Sequence, residues 1–130
     1  QMAAAKIGAP LMNDFCSISL SDLLTPWTQI EKRIKNAAIG DFVLIIFNPK
    51  SIKRDWQLNK TVDLLLKFRK PSTPVAIARQ LGRPEETIDL HTLETLPFEK
   101  VDMLTILVIG NSQSVIKSNK FLTPRGYFSN

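Results

Sequence analysis

Cysteine and histidine are nearly absent from this sequence: Cys16 and His91 are the only ones. A disulfide within the chain, a Cys/His zinc site and a histidine-based triad are excluded by counting, so no metal centre is expected. A reducing, cytoplasmic home follows as the expectation for so little cysteine. Glycine is sparse as well, with Gly8, Gly40, Gly82, Gly110 and Gly126 scattered so that neither G-x-G-x-x-G nor a Walker A loop can be written. Nucleotide phosphates therefore have no glycine-rich cradle. No apolar run reaches the ~20 residues that span a bilayer, and the first residues lack the charged start and apolar middle of a signal peptide. No membrane partner is expected. Carboxylates do not pair for acid–base work either: Glu85 and Glu86 read as turn polarity, and Asp14 and Asp22 stand beside probable caps. No catalytic residue can be named from these types.

What the chain does have is positive charge and an ordinary apolar fraction. The net charge is +5 and the pI about 9.6, so an anionic partner is favoured, whether nucleic acid, membrane surface or polycarboxylate. Hydrophobic residues make up 44% and charged residues 22% of 130 residues, the composition of one folded domain rather than a disordered chain.

The opening "QMAAAKIGAP" has no initiator methionine and reads as the last turns of a helix closed by Gly8, with Pro10 beyond it. Residues 1–9 are accordingly expected to be the tail of a helix from a preceding domain, and residues 10–130 one further domain of a longer protein. "LMNDFCSISL" reads as a short strand with Phe15 and Ile18 buried and Ser17 and Ser19 polar. Thr25 and Pro26 start a helix with Trp27, Ile30, Ile34, Ala37 and Ala38 on one face, and Gly40 closes it. "DFVLIIF" is apolar throughout, as a strand covered on both faces would be, and Asn48-Pro49 ends it. Asp55 is placed to cap a second helix with Leu58, Val62, Leu65 and Leu66 as its stripe, while Lys60, Lys67, Arg69 and Lys70 lie off the stripe or at the end that suits positive charge. "PVAIAR" and "TIDLHTL" are two strands paired through the "RPEE" turn, "LTILVIGN" is a fifth strand, and "FLTPRGYFSN" is irregular. The fold class is α/β: a mixed sheet of about five strands flanked by helices.

Lys50, Lys53 and Arg54 stand out because they crowd the entry of a helix, where positive charge opposes the helix dipole. An anionic ligand beyond the end of the second strand would account for them, and a solvated loop is the plainer alternative.

Several stretches in order, "GAPLMNDFCSISLSDLLTPW", "FNPKSIKRDWQL", "TPVAIARQLGRPEE", "DMLTILVIGNSQS" and "TPRGY", resemble the second half of the precorrin-3B C(17)-methyltransferase branch of the tetrapyrrole methylases of cobalamin biosynthesis. The likeness covers nearly the whole chain. It implies the second domain of a two-domain, class III methyltransferase-like enzyme that holds S-adenosylmethionine in the cleft between its domains and a tetrapyrrole in a trough over it. The branch transfers the methyl group and contracts the ring. On the resemblance, Phe47 and Asn48 contact the adenosyl moiety, Arg79, Gln80 and Leu81 run along the cofactor, and Leu104, Thr105 and Ile106 lie under its adenine or ribose. Lys50, Lys53 and Arg54 would then meet the carboxylates of the precorrin substrate. The glycine-rich opening and Gly-Asp-Pro loop of the family's amino-terminal domain are not in this sequence, so that domain is implied as a partner and the chain alone is expected to be inactive. Homodimers are common in such enzymes.

Two rivals stand beside this reading. One is another member of the superfamily acting on a different tetrapyrrole, a protein or RNA. The other is a basic nucleic-acid-binding module, against which the lack of RNP-type aromatics, helix-turn-helix signals and zinc knuckles argues.

Overall fold

A computed structural model describes residues 8, 9 and 14–124. The expected helix tail before Gly8 and the "RGYFSN" end of the chain lie outside the described residues; Gly8 and Ala9 are extended. The strands are β1 (Gly8–Ala9), β2 (Phe15–Ser19), β3 (Val43–Phe47), β4 (Pro74–Arg79), β5 (Thr87–Thr92), β6 (Thr105–Ile109), β7 (Val115–Lys117) and β8 (Lys120–Leu122), and the helices α1 (Trp27–Ile39) and α2 (Gln57–Leu65). Five strands form one sheet in the order β2-β3-β6-β4-β5, the five that the hydrophobic runs outlined. β2 pairs parallel with β3, and the other pairings are antiparallel, so β2, β3 and β4 share one direction and β5 and β6 run against them.

Strand alternation sorts the core into two layers. Leu44, Ile46, Val75, Ile77, Leu107 and Ile109 meet Ile30, Ile34, Leu58, Val62 and Leu65 of the helices on one face. Both helices cover this face. On the other, Val43, Ala76, Ala78 and Val108 pack with Phe121 of β8. A second sheet, β1-β8-β7, therefore stands where the sequence suggested irregular chain.

Several local expectations need correction. Phe15 is exposed, because a strand of period two cannot bury it together with Ile18; Cys16 and Leu20 share the inward side with Ile18 instead. Thr25 does not cap α1: Pro26 is already the extended cap residue, and its carbonyl takes the Gln29 and Ile30 amides at 3.0 and 3.2 Å. Asp55 likewise falls one residue short of the α2 cap position, which Trp56 occupies without a side-chain bond. Leu66 is exposed because α2 ends at Leu65, and Thr61 takes its place on the buried face. At the end of α1 the left-handed residue is Asp41 (φ 59°), not Gly40.

Arg69 departs furthest from expectation, being only 5% exposed. Its Nη1 donates to the Gly110 carbonyl and its Nη2 to the Phe42 carbonyl, bridging the end of β6 to the start of β3. Burial lowers its pKa, with Asp41 pulling it back up. Asp41 joins the same junction, its carboxylate accepting from the Ser112 amide at 2.8 Å and its carbonyl from Asn111 Nδ2 at 3.0 Å.

Burial pushes the Cys16 thiol pKa up, against the weaker pull of Arg69. The fold therefore binds the thiol proton more tightly than the unfolded chain does, and the stability from this group is lost as pH rises through the raised thiol pKa. Alkylation of Cys16 by iodoacetamide at mildly alkaline pH is expected to be slower in the native protein than in urea; equal rates would contradict the burial.

Candidate functional site

Because β2, β3 and β4 run together, Ser19, Phe47 and Arg79 end at one edge of the sheet, where β5 and β6 begin. The register sets Ser19 beside Phe47, Ala78 beside Ile106, and Arg79 between Thr105 and Thr87. All eight residues implied as cofactor contacts, Phe47, Asn48, Arg79, Gln80, Leu81, Leu104, Thr105 and Ile106, are thus gathered at this edge although 59 positions separate Phe47 from Ile106. Asn48 (φ 50°) and Gln80 (φ 51°) both turn left-handed just past the ends of β3 and β4. That conformation costs a non-glycine residue about 1 kcal/mol, and such strain gathers at functional sites.

The eight are not equivalent. Phe47 and Leu104 are exposed and Ile106 is half-buried, so they offer apolar surface. Leu81 packs on the second core layer. Thr105 is buried, and its hydroxyl donates to Asp102 Oδ1 at 3.0 Å, which leaves its backbone as the contacting part. Arg79 has Nε and Nη2 buried without an acceptor among the described residues, a costly state unless another group supplies one.

The loop after β3 is tied to the loop after β2 by a set of polar contacts. Asn48 Nδ2 donates to Ser19 Oγ at 2.9 Å, Arg54 Nη1 to the Leu20 carbonyl at 3.1 Å, and Gln57 Nε2 to Asp22 Oδ2 at 2.9 Å. Lys50 Nζ donates to the Phe98 carbonyl at 3.0 Å. Lys50 and Arg54 thus brace the loops as well as carrying charge, and Lys53 stands exposed at the tip. Beneath them Trp27 and Trp56 meet edge to face, centroids 5.2 Å apart, joining the starts of the two helices.

Sequence reasoning overlooked the apolar members of this rim. Leu23 and Leu24 are 88% and 98% exposed, and Leu23 lines one groove with the exposed Ile52 and Met103. Their signal was available, as large apolar residues inside loop stretches "SDLLTP", "KSIKR" and "VDML".

The description "Tetrapyrrole (Corrin/Porphyrin) Methylases" belongs to a family model that matches residues 1–97. A probable cobalt-factor III C(17)-methyltransferase of Salmonella typhimurium is 46% identical over 125 residues, 96% of this chain and 52% of the relative. A precorrin-3B C(17)-methyltransferase of a Sinorhizobium species is 41% identical, over 95% of this chain and 51% of the relative. The crystal structure of the methyltransferase CobJ superposes with a TM-score of 0.89 at 36% identity, over 95% of this chain and 52% of that one. The chain spans about half the length of these relatives.

Proposed function

The chain belongs to the tetrapyrrole (corrin/porphyrin) methylases, and on that premise we propose that it is the carboxyl-terminal half of a cytoplasmic enzyme that methylates C(17) of precorrin-3B, or of its cobalt counterpart, with ring contraction in cobalamin biosynthesis. The observation that carries the reading is the single sheet edge at which the ends of β3 and β4 and the start of β6 meet. Relatives named for the same position of the ring support it.

The edge suits S-adenosylmethionine: Phe47, Leu104 and Ile106 give an apolar seat of adenosine character, and the turns at Asn48 and Gln80 bring main chain to the surface. When bound, that cofactor supplies an activated methyl group. The chain's own residues then have to orient the acceptor and keep water out, since methyl transfer from a sulfonium asks for alignment more than for a strong base. The absence of a recognisable base in the sequence agrees with that demand. Lys50, Lys53 and Arg54 orient by attracting the acidic rim of the substrate. Half of a cleft cannot enclose a cofactor, so the amino-terminal half is the necessary partner; homodimerisation of the complete enzyme is part of the same reading and rests on the resemblance.

Calorimetric titration of S-adenosylhomocysteine into this chain, and into the same chain joined to its amino-terminal half, tests the proposal. Binding at least tenfold tighter by the longer protein is expected. Tight binding by neither would remove the cofactor from this edge.

A further inference from the structure

Large apolar side chains stand in water around the candidate site, and two of them occupy a particular place. Ile52 is 102% exposed and Met103 is 58% exposed. Each is held on a braced turn. Ile52 rides between Ser51 and Arg54, whose amides and carbonyls bond reciprocally at 2.8 and 3.2 Å. Met103 rides within a turn where Asp102 Oδ1 accepts from the Leu104 amide at 2.9 Å and the Thr105 hydroxyl at 3.0 Å.

Two grooves meet at this pair. One, of about 370 Å³, is shared with Lys50, Asp102 and Leu104. The other, of about 620 Å³, is shared with Leu23, Asn48, Lys53 and Arg54. Apolar side chains fixed at a concave surface mark a partner that covers them. Here the partner must be apolar on its face, to match Ile52 and Met103, and anionic at its margin, to match Lys53 and Arg54.

Resting on the functional reading above, we propose that Ile52 and Met103 form a wall between the two grooves, against which one face of the tetrapyrrole ring lies with its peripheral carboxylates toward Lys53 and Arg54. A conjugated ring bearing carboxylate side chains has that combination of apolar face and charged rim. The ring then lies in the larger groove, beside Lys53 and Arg54. Because both turns are braced by their own hydrogen bonds, the wall is in position before the ring arrives.

Ile52→Ser and Met103→Ser in the complete two-domain enzyme test this, assayed with whichever of precorrin-3B and its cobalt counterpart the wild type methylates. Each is expected to raise KM for the tetrapyrrole about tenfold with kcat within about twofold, the pattern of lost uniform binding. Affinity for S-adenosylhomocysteine and the thermal midpoint should stay unchanged, and Ile52→Leu should keep the wild-type KM. An unaltered KM in both serine variants overturns the wall, and so does a loss of S-adenosylhomocysteine affinity in step with KM, which would hand these residues to the cofactor. A wild type that binds S-adenosylhomocysteine but methylates neither tetrapyrrole would instead bring down the substrate reading on which the wall rests.

Discussion

Replacing Arg69 with alanine should cost the fold about 3 kcal/mol, enough to consume a large part of the 5–15 kcal/mol that a domain of ordinary stability possesses. Two carbonyls, of Phe42 and Gly110, lose their donor at once, and each buried acceptor left unsatisfied costs about 1–3 kcal/mol. The junction they hold is where β3 begins beside the end of β6, with Leu44 opposite Ile109. Arg69→Met restores most of the volume but none of the donors, so it should lose nearly as much as alanine. Arg69→Lys should recover part, since one ammonium cannot span both carbonyls as the guanidinium fork does. Urea unfolding of the series measures this, and a loss below about 1 kcal/mol in the alanine variant would refute the bridging role.

The same residue shows where sequence reading stopped. The five strands of the larger sheet and both helices were legible because their signals are local: an apolar run for β3, spacing of three and four for α1, turn residues between β4 and β5. Arg69 sat in "KFRKP" among cations that do face water, and its partners lie 27 and 41 positions away. Nothing in the local pattern separates a buried bridge from a solvated charge. "VIGNSQS" shows the same limit. It carried much of the family resemblance, yet Asn111 and Ser112 bond to Asp41 at the edge of the sheet opposite the candidate site. Their specificity is that of a structural latch.

The candidate site was legible for a different reason. Phe47, Arg79 and Thr105 were assigned by resemblance, one stretch at a time, and antiparallel pairing of β6 with both β3 and β4 is what puts those stretches side by side. Composition raised the expectation of an anionic ligand through Lys50, Lys53 and Arg54. It could not give the apolar wall, because the exposure of Ile52 and Met103 is decided by the turns that lift them, and those turns close only in the folded chain.

Phe121→Ala should be the costliest single truncation on the face of the sheet away from the helices, at about 4 kcal/mol. The apolar pattern of β3 called for cover on both faces, and only one cover could be read from the sequence. The second comes from the three residues Lys120–Leu122, too short a segment to announce itself. Phe121 is fully buried against Val43, Ala76, Ala78 and Val108, small side chains that leave room for a ring. Its Cζ would lie 3.2 Å from a methyl placed on Gly110, so the ring tip reaches the same junction that Arg69 bridges. Truncation therefore opens a cavity that these short side chains cannot fill by shifting, and it releases β8 from β7 and β1. Phe121→Leu, which keeps most of the volume, should cost no more than about 1.5 kcal/mol. Native-state hydrogen exchange adds a spatial test: in the alanine variant the amides of β7 and β8 should lose protection ahead of those in β3 and β6. Unchanged protection in β7 and β8 together with an unchanged urea midpoint would show that this face is closed by something other than the Phe121 ring.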